Sequence, residues 1–298
     1  MLAAMSMSSA QPLSSVRGRR ALRIGFSLAV LLAATATAAA SADAAKPAQA
    51  RFEDAQRLFY SGGYDAAAAA MAEPCRGGDA AACELRAAAL LFRIKRELGS
   101  PPDSKRPWAA CATCPGLLAA FKETNQRGRE LARVALLSRP EDEELLFLRS
   151  KLALNHVWLE LGVLGHKTGW GEYWEARKTL DKLLQKNPAH ARARVSRAWI
   201  DYIVDTSMPR GTKWLLGGGN KKRGLTTVHD VAAGRAPFFD LAEARFALWD
   251  MQVRERKIAE ALATARGLAR DFPYNQELHR FIARHGGGAA AAGSPDRR

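Results

Sequence analysis

Residues 173–206 read YWEARKTLDKLLQKNPAHARARVSRAWIDYIVDT, and this stretch decides the fold. In its first half Tyr173, Ala176, Leu180, Leu183 and Leu184 recur at helical spacing, with Lys178, Lys182 and Lys186 off that face. Asn187-Pro188 ends the helix, because the residue before a proline is driven out of the α region. The second half places Val195, Ala198, Trp199, Tyr202 and Ile203 on one face and His190, Arg194, Arg197, Asp201 and Asp205 on the other. Two amphipathic helices joined by so short a turn pack as a hairpin. A lone hairpin cannot bury its outer faces, so neighbours must stack on it. The expected fold is all-α, an α-solenoid of antiparallel helix pairs.

The same grammar extends in both directions. Toward the N-terminus, Ala55, Leu58 and Phe59 lead into Gly62-Gly63-Tyr64, a glycine turn followed by an aromatic that packs back on the helix before it. Pro74 is expected to close the second helix, and another runs from about Asp79 to Leu98. Gly99 to Pro107 is too rich in proline for a helix. Pro115 suits a first helical position, and Pro140 is the next stop. Glu141, Asp142 and Glu143 open a helix that carries Leu145, Leu148, Leu152, Val157 and Leu159 to about Leu164. Toward the C-terminus, Asn220 caps a helix to Ala233, Pro237 starts another, and further helices end at Phe272-Pro273 and Gly286. The organisation is therefore a leader at 1–44, helix pairs at 45–100, a Pro- and Cys-containing loop at 101–114, helical repeats at 115–285 and a disordered tail at 286–298.

Residues 1–44 read as a signal peptide. Arg17, Arg19, Arg20 and Arg23 precede an apolar run from Ile24 to Leu32, and Ala40-Ser41-Ala42 or Ala42-Asp43-Ala44 offers the cleavage site. The expected location is periplasmic or secreted. No cysteine precedes Cys75, which excludes a lipid-anchored cysteine at the cleavage point, and no later segment is apolar enough to span a bilayer. Without the +3 of the leader, the chain keeps +12 of its +15 net charge, which suits an anionic envelope component. No compact basic run with interleaved aromatics is present, so nucleic acid is not an expected partner.

The segments Ala55…Gly62-Gly63-Tyr64-x-x-Ala67…Pro74, Tyr173-x-x-Ala176…Asn187-Pro188 and Ala259…Ala265…Phe272-Pro273 resemble tetratricopeptide repeats of the exported bacterial type, in degenerate form. Stop prolines at 140 and 188 stand further apart than the ~34-residue period of that family, which implies inserted loops. The run Gly217-Gly218-Gly219-Asn220-Lys221-Lys222-Arg223-Gly224-Leu225, followed by Phe272-Pro273-Tyr274-Asn275, is similar to a pattern in exported bacterial repeat proteins and to a repeat-containing periplasmic component of some solute transporters. The resemblance implies a scaffold that binds a protein or peptide on its concave face, within a cell-envelope assembly or a transport-associated complex. It implies no chemistry and no cofactor.

Candidate sites follow from residue type and position. Lys151, Asn155, Arg194, Arg197 and Asp201 line the groove if their helices are the inner ones, where basic groups clamp a carboxylate. Asn220, Lys221, Lys222 and Arg223 follow a glycine run into a helix start, a place where free amides bind anions. In an exported chain the four cysteines favour disulfides, with local pairing Cys75–Cys83 and Cys111–Cys114 preferred. Two rival functions remain open. Cys111-x-x-Cys114 at a helix start could serve a thiol oxidoreductase, and Trp158, His166, Trp170, Tyr173 and Trp174 could stack on cell-wall sugar rings. The histidines show no metal spacing, so no metal site is expected, and His156 reads as a near-core residue.

Overall fold

The computed structural model describes residues 47–99, 108, 111–166, 168–207 and 213–286. The leader at 1–44, residues 101–107 and 109–110 of the Pro-rich loop, and the tail beyond Gly286 lie outside them. Among the described residues every regular element is helical. None of these helices is long and apolar enough to cross a membrane. Residues from Arg51 onward form one compact unit.

Helix α1 covers 47–60 and is followed by α2 (Tyr64–Ala70), α3 (Ala72–Arg76) and α4 (Ala80–Leu98). Next come α5 (Cys114–Ser138) and α6 (Glu143–Val157), which runs on into a π-helical turn, Trp158–Val163. The central hairpin is α7 (Trp170–Lys186) and α8 (Ala191–Ser207). A 3₁₀ turn, Lys213–Leu216, precedes α9 (Lys221–Ala233), α10 (Phe238–Arg254), α11 (Ile258–Asp271) and α12 (Gln276–Gly286). Local chemistry sets the boundaries. Asp79 accepts from the amides of Ala81 and Ala82 at 2.8 and 3.1 Å, Asp142 from Leu145 at 3.0 Å, and Asn220 from Arg223 at 2.8 Å, each satisfying orphan donors of a first turn. Pro74 does not end a helix as expected. It lies in the first turn of α3, where a proline removes no intrahelical bond, and the break falls one turn earlier at Met71.

The helices pack neighbour upon neighbour, and the core is correspondingly a string of clusters. One joins α2, α4, α5 and α6 around Phe121, Leu152 and Ile94. The next joins α5 to α8 around Leu180, Leu183 and Phe147, and a third joins α8, α9 and α10 around Tyr202, Val228 and Met251. Close approach needs glycine at the seams. A Cβ on Gly128 of α5 would stand 2.9 Å from Cys83 and 3.0 Å from Leu152, and one on Gly224 of α9 would stand 2.7 Å from the Ala198 carbonyl oxygen.

The array is not left open at its ends. The Tyr60 ring, at the end of α1, lies 5.4 Å from Phe246 and 5.4 Å from Phe272, and the Asn275 side-chain amide donates to the Tyr60 carbonyl at 2.8 Å. Arg57 covers the Phe238 and Phe239 rings. Burial of this aromatic group in a satellite core ties the first described helix to the last ones.

Both expected cysteine pairs are bonded, Cys75–Cys83 and Cys111–Cys114. The first staples α3 to α4, and the second closes the turn at the start of α5. Two disulfides suit an oxidising compartment.

Candidate functional site

Four of the five residues expected to line a groove fall into two separate clusters. In the first, α6 contributes Lys151 and Asn155. Lys151 forms an ion pair with Glu243 of α10, and the Asn155 amide donates to Glu84 of α4 at 3.2 Å. Arg192 of α8 reaches Glu144 of α6 and lies 3.5 Å from Asp240 of α10. These side chains bond across the array rather than project into open solvent, although Lys151, Arg192 and Asp240 each keep about a quarter of their surface. The Glu84 carboxyl is raised above its ordinary range chiefly by burial, with Glu243 adding to the shift and Lys151, Asn155 and Arg192 opposing it. Asp240 is raised for the same first reason. The Tyr60 hydroxyl is raised by burial and by Glu243, Glu84 and Asp240.

The second cluster holds Arg197 and Asp201. Asp201 is 4% exposed, accepts from Arg197 at 2.6 Å, and takes two donors from Arg223 at 3.0 and 2.7 Å. Arg197 also reaches Asp181 at 2.7 Å. This network joins α7, α8 and α9 through one buried carboxylate. Arg194 belongs to neither cluster and has no ion-pair partner among the described residues.

Much of the helix start at Asn220–Arg223 is bonded within the chain. The Arg223 amide is held by Asn220, and the Lys221 amide donates to Asp205 at 2.7 Å. Lys221 Nζ reaches Glu255 at 2.7 Å and Arg223 is committed to Asp201, which leaves only Lys222 exposed and unpaired among these cations. Two of the first-turn amides expected to bind an external anion are thus taken by carboxylate and amide side chains of the chain itself, while a shallow hollow beside Asn220, Lys222 and Thr226 stays open.

The aromatics do not form one platform. Trp158 packs edge-on against Trp199 at 6.1 Å, while Trp170 and Trp174 flank the buried Tyr173. His166 Nδ1 lies 2.9 Å from Glu160, which also accepts from Thr168 at 2.8 Å. His156 is half-buried on α6. No group of three or more His, Cys, Asp or Glu among the described residues is placed to hold a metal.

Two features escaped sequence reading. One is a cleft of about 350 Å³ between α5, α6 and α7. Leu136, Leu137, Pro140 and Leu146 form its apolar floor; Arg133, Arg149, Lys178 and Lys182 form its rim. Leu137 is 73% exposed, unusual for a leucine beside buried Leu136 and Leu146. Arg133 is answered by Glu130 of its own helix, and Lys182 by Glu141. Arg149 reaches Glu175 at 2.6 Å, and Arg129, which also reaches Glu175, is answered by Glu172 at 3.0 Å, so that group is balanced. Lys178 is exposed and has no partner among the described residues. The rim therefore keeps an excess of positive charge. The periodic signal was available in Arg133, Leu136 and Leu137, which share a helical face, but the partners that complete the cleft come from two other helices.

The other feature is the turn between α8 and α9. Arg177 of α7 is 8% exposed and donates to the carbonyls of Leu216 at 2.9 Å, Gly217 at 2.6 Å and Gly218 at 3.1 Å. The Tyr173 hydroxyl also donates to Leu216 O, at 2.7 Å. A 3₁₀ turn leaves its last carbonyls unpaired and negative, and a guanidinium with several donors in one plane satisfies them together. Gly217 and Gly218 both adopt φ +73°, and a Cβ on Gly217 would stand 2.9 Å from the Arg177 guanidinium carbon.

No protein-family model, curated protein or solved structure matches this chain.

Proposed function

We propose that the chain is an exported helical scaffold of the tetratricopeptide-like kind that holds a segment of a partner protein, and that the α5–α6–α7 cleft is the place of contact. The observation that carries this reading is the pairing of an apolar floor with a rim of four cations, one of them unanswered. Such a surface fits an acidic segment bearing a leucine- or phenylalanine-like anchor: the anchor covers Leu136, Leu137 and Leu146, and the flanking carboxylates meet Lys178, Lys182 and Arg149. The expected concave groove gives less support, because its charged residues bond to one another across the array. Two disulfides and the leader-like first 44 residues support an exported location.

The test is a photo-crosslinking residue at position 137 in the producing cells, with the captured peptide mapped by mass spectrometry. An acidic segment with an apolar anchor is expected, and its capture should fall in the Lys178→Glu/Lys182→Glu variant and at high salt. Capture indifferent to charge reversal, or confined to basic segments, overturns the reading.

A further inference from the structure

The Lys213–Leu216 turn combines a well-bonded end with an exposed apolar apex. The carbonyls at its C-terminal end, Leu216 to Gly218, are held by the buried Arg177 and by Tyr173, and Asp205 pairs with the Lys213 ammonium while accepting from the Lys221 amide at the start of α9. The apex of the turn nevertheless carries two large apolar side chains in solvent, Trp214 at 73% and Leu215 at 52% exposure. A mobile loop can fold such residues away, but one locked by several hydrogen bonds to a buried guanidinium holds them out.

We propose that this turn is a membrane-contact wedge, in which Trp214 and Leu215 enter the interfacial layer of an anionic bilayer. Tryptophan partitions to that layer because its ring is apolar and its indole N–H still finds a polar partner. The charge at the site matches. Asp205 brings the turn beside the first residues of α9, where Lys222 is exposed and uncompensated, and the whole chain carries a strong positive excess. The size of the patch favours a bilayer over a protein. Trp214 and Leu215 together offer roughly 300 Å², short of the ~500 Å² that one partner contributes to even a small specific protein interface, whereas a bilayer accepts a small wedge when basic charge adds to it. Binding of this kind is reversible and weakens as salt screens the headgroups.

The chain as recovered from expressing cells is mixed with phosphatidylcholine vesicles, with or without phosphatidylglycerol, carrying brominated acyl chains. Tryptophan quenching and sedimentation are both read. Quenching on the phosphatidylglycerol vesicles is expected, and Trp214→Phe should remove it while the protein still sediments. Trp214→Ala/Leu215→Ser should lower the bound-to-free ratio roughly tenfold, the equivalent of ~1.4 kcal/mol, with an unchanged thermal midpoint because both side chains are exposed. Tryptophans elsewhere, and the first 44 residues, which contain none, do not produce a Trp214-dependent signal. Absence of quenching, quenching that survives Trp214→Phe, or equal binding to neutral vesicles overturns the proposal. So does a Trp214-dependent protein complex without quenching, which would assign the turn to a protein pocket.

Discussion

Replacing Arg177 by methionine should unfasten the turn between α8 and α9 while leaving the helices in place. The methionine fills much of the volume of the arginine stem, so the change isolates the guanidinium. Four hydrogen bonds disappear: those to the carbonyls of Leu216, Gly217 and Gly218, and one to the Tyr173 hydroxyl at 3.2 Å. Each charge-assisted bond is worth about 1.5–3 kcal/mol, but the losses do not add in full. Leu216 O retains the Tyr173 hydroxyl, and the carbonyl of exposed Gly217 can rehydrate. Relief of the desolvation of a buried charge offsets a further part. The expected net loss is about 3 kcal/mol, a fall of roughly 6–12 °C in Tm for a chain of this size. Urea unfolding followed by helical circular dichroism measures it. Amide exchange supplies the local readout, because the amides of Gly217 and Gly218 donate to Trp214 and Lys213 within the turn and should lose protection before any helix does. Stability within about 1 kcal/mol of the parent, together with unchanged exchange at those two glycines, would show that the arginine does not hold the turn.

Two further outcomes follow from the packing. Glu84→Gln keeps an acceptor for Asn155 and removes a carboxylate whose ionisation burial disfavours. A carboxyl raised on folding keeps its proton to higher pH in the folded than in the unfolded chain. Its contribution to stability is therefore present at low pH and is lost as pH rises from the ordinary carboxylate range through the raised folded value. The glutamine variant should be more stable than the parent at pH 7, and its pH–stability curve should be flatter in that window; a parallel curve refutes the assignment. Tyr60→Ala removes the half-buried ring that meets Phe239, Phe246 and Phe272 and should cost about 2–3 kcal/mol, less than a fully buried aromatic. Limited proteolysis should then cut first in residues 51–63, and protection equal to the parent would show that α1 does not depend on the C-terminal helices.

Much of the helix grammar was legible because it is local. Asp79, Asp142 and Asn220 cap the helices that follow them, and Pro115 and Pro237 mark helix starts, since these are effects of a side chain on its own backbone. Both disulfides join cysteines near in sequence, so local pairing predicted them. Pro74 was misread because a stop and a first-turn position differ only in the conformation of the residues before it. The roles of charged residues were not legible. Lys151 and Arg197 sit where an inner face of a helix would place them, but whether such a cation is free depends on Glu243 or Asp181 arriving from another helix.

By itself, then, the amino-acid order pointed to helices throughout the described residues, to much of their punctuation and to local pairing of the cysteines, because propensity, capping and short-loop closure act over a few residues. Only the tertiary structure decided that the N-terminal helix meets the C-terminal ones at Tyr60, that the Leu137 cleft keeps an excess of cations, and that Arg177 locks a turn bearing Trp214 and Leu215. Those contacts join residues tens to hundreds of positions apart, and no periodicity along the chain encodes which of its like-charged or apolar faces will find one another.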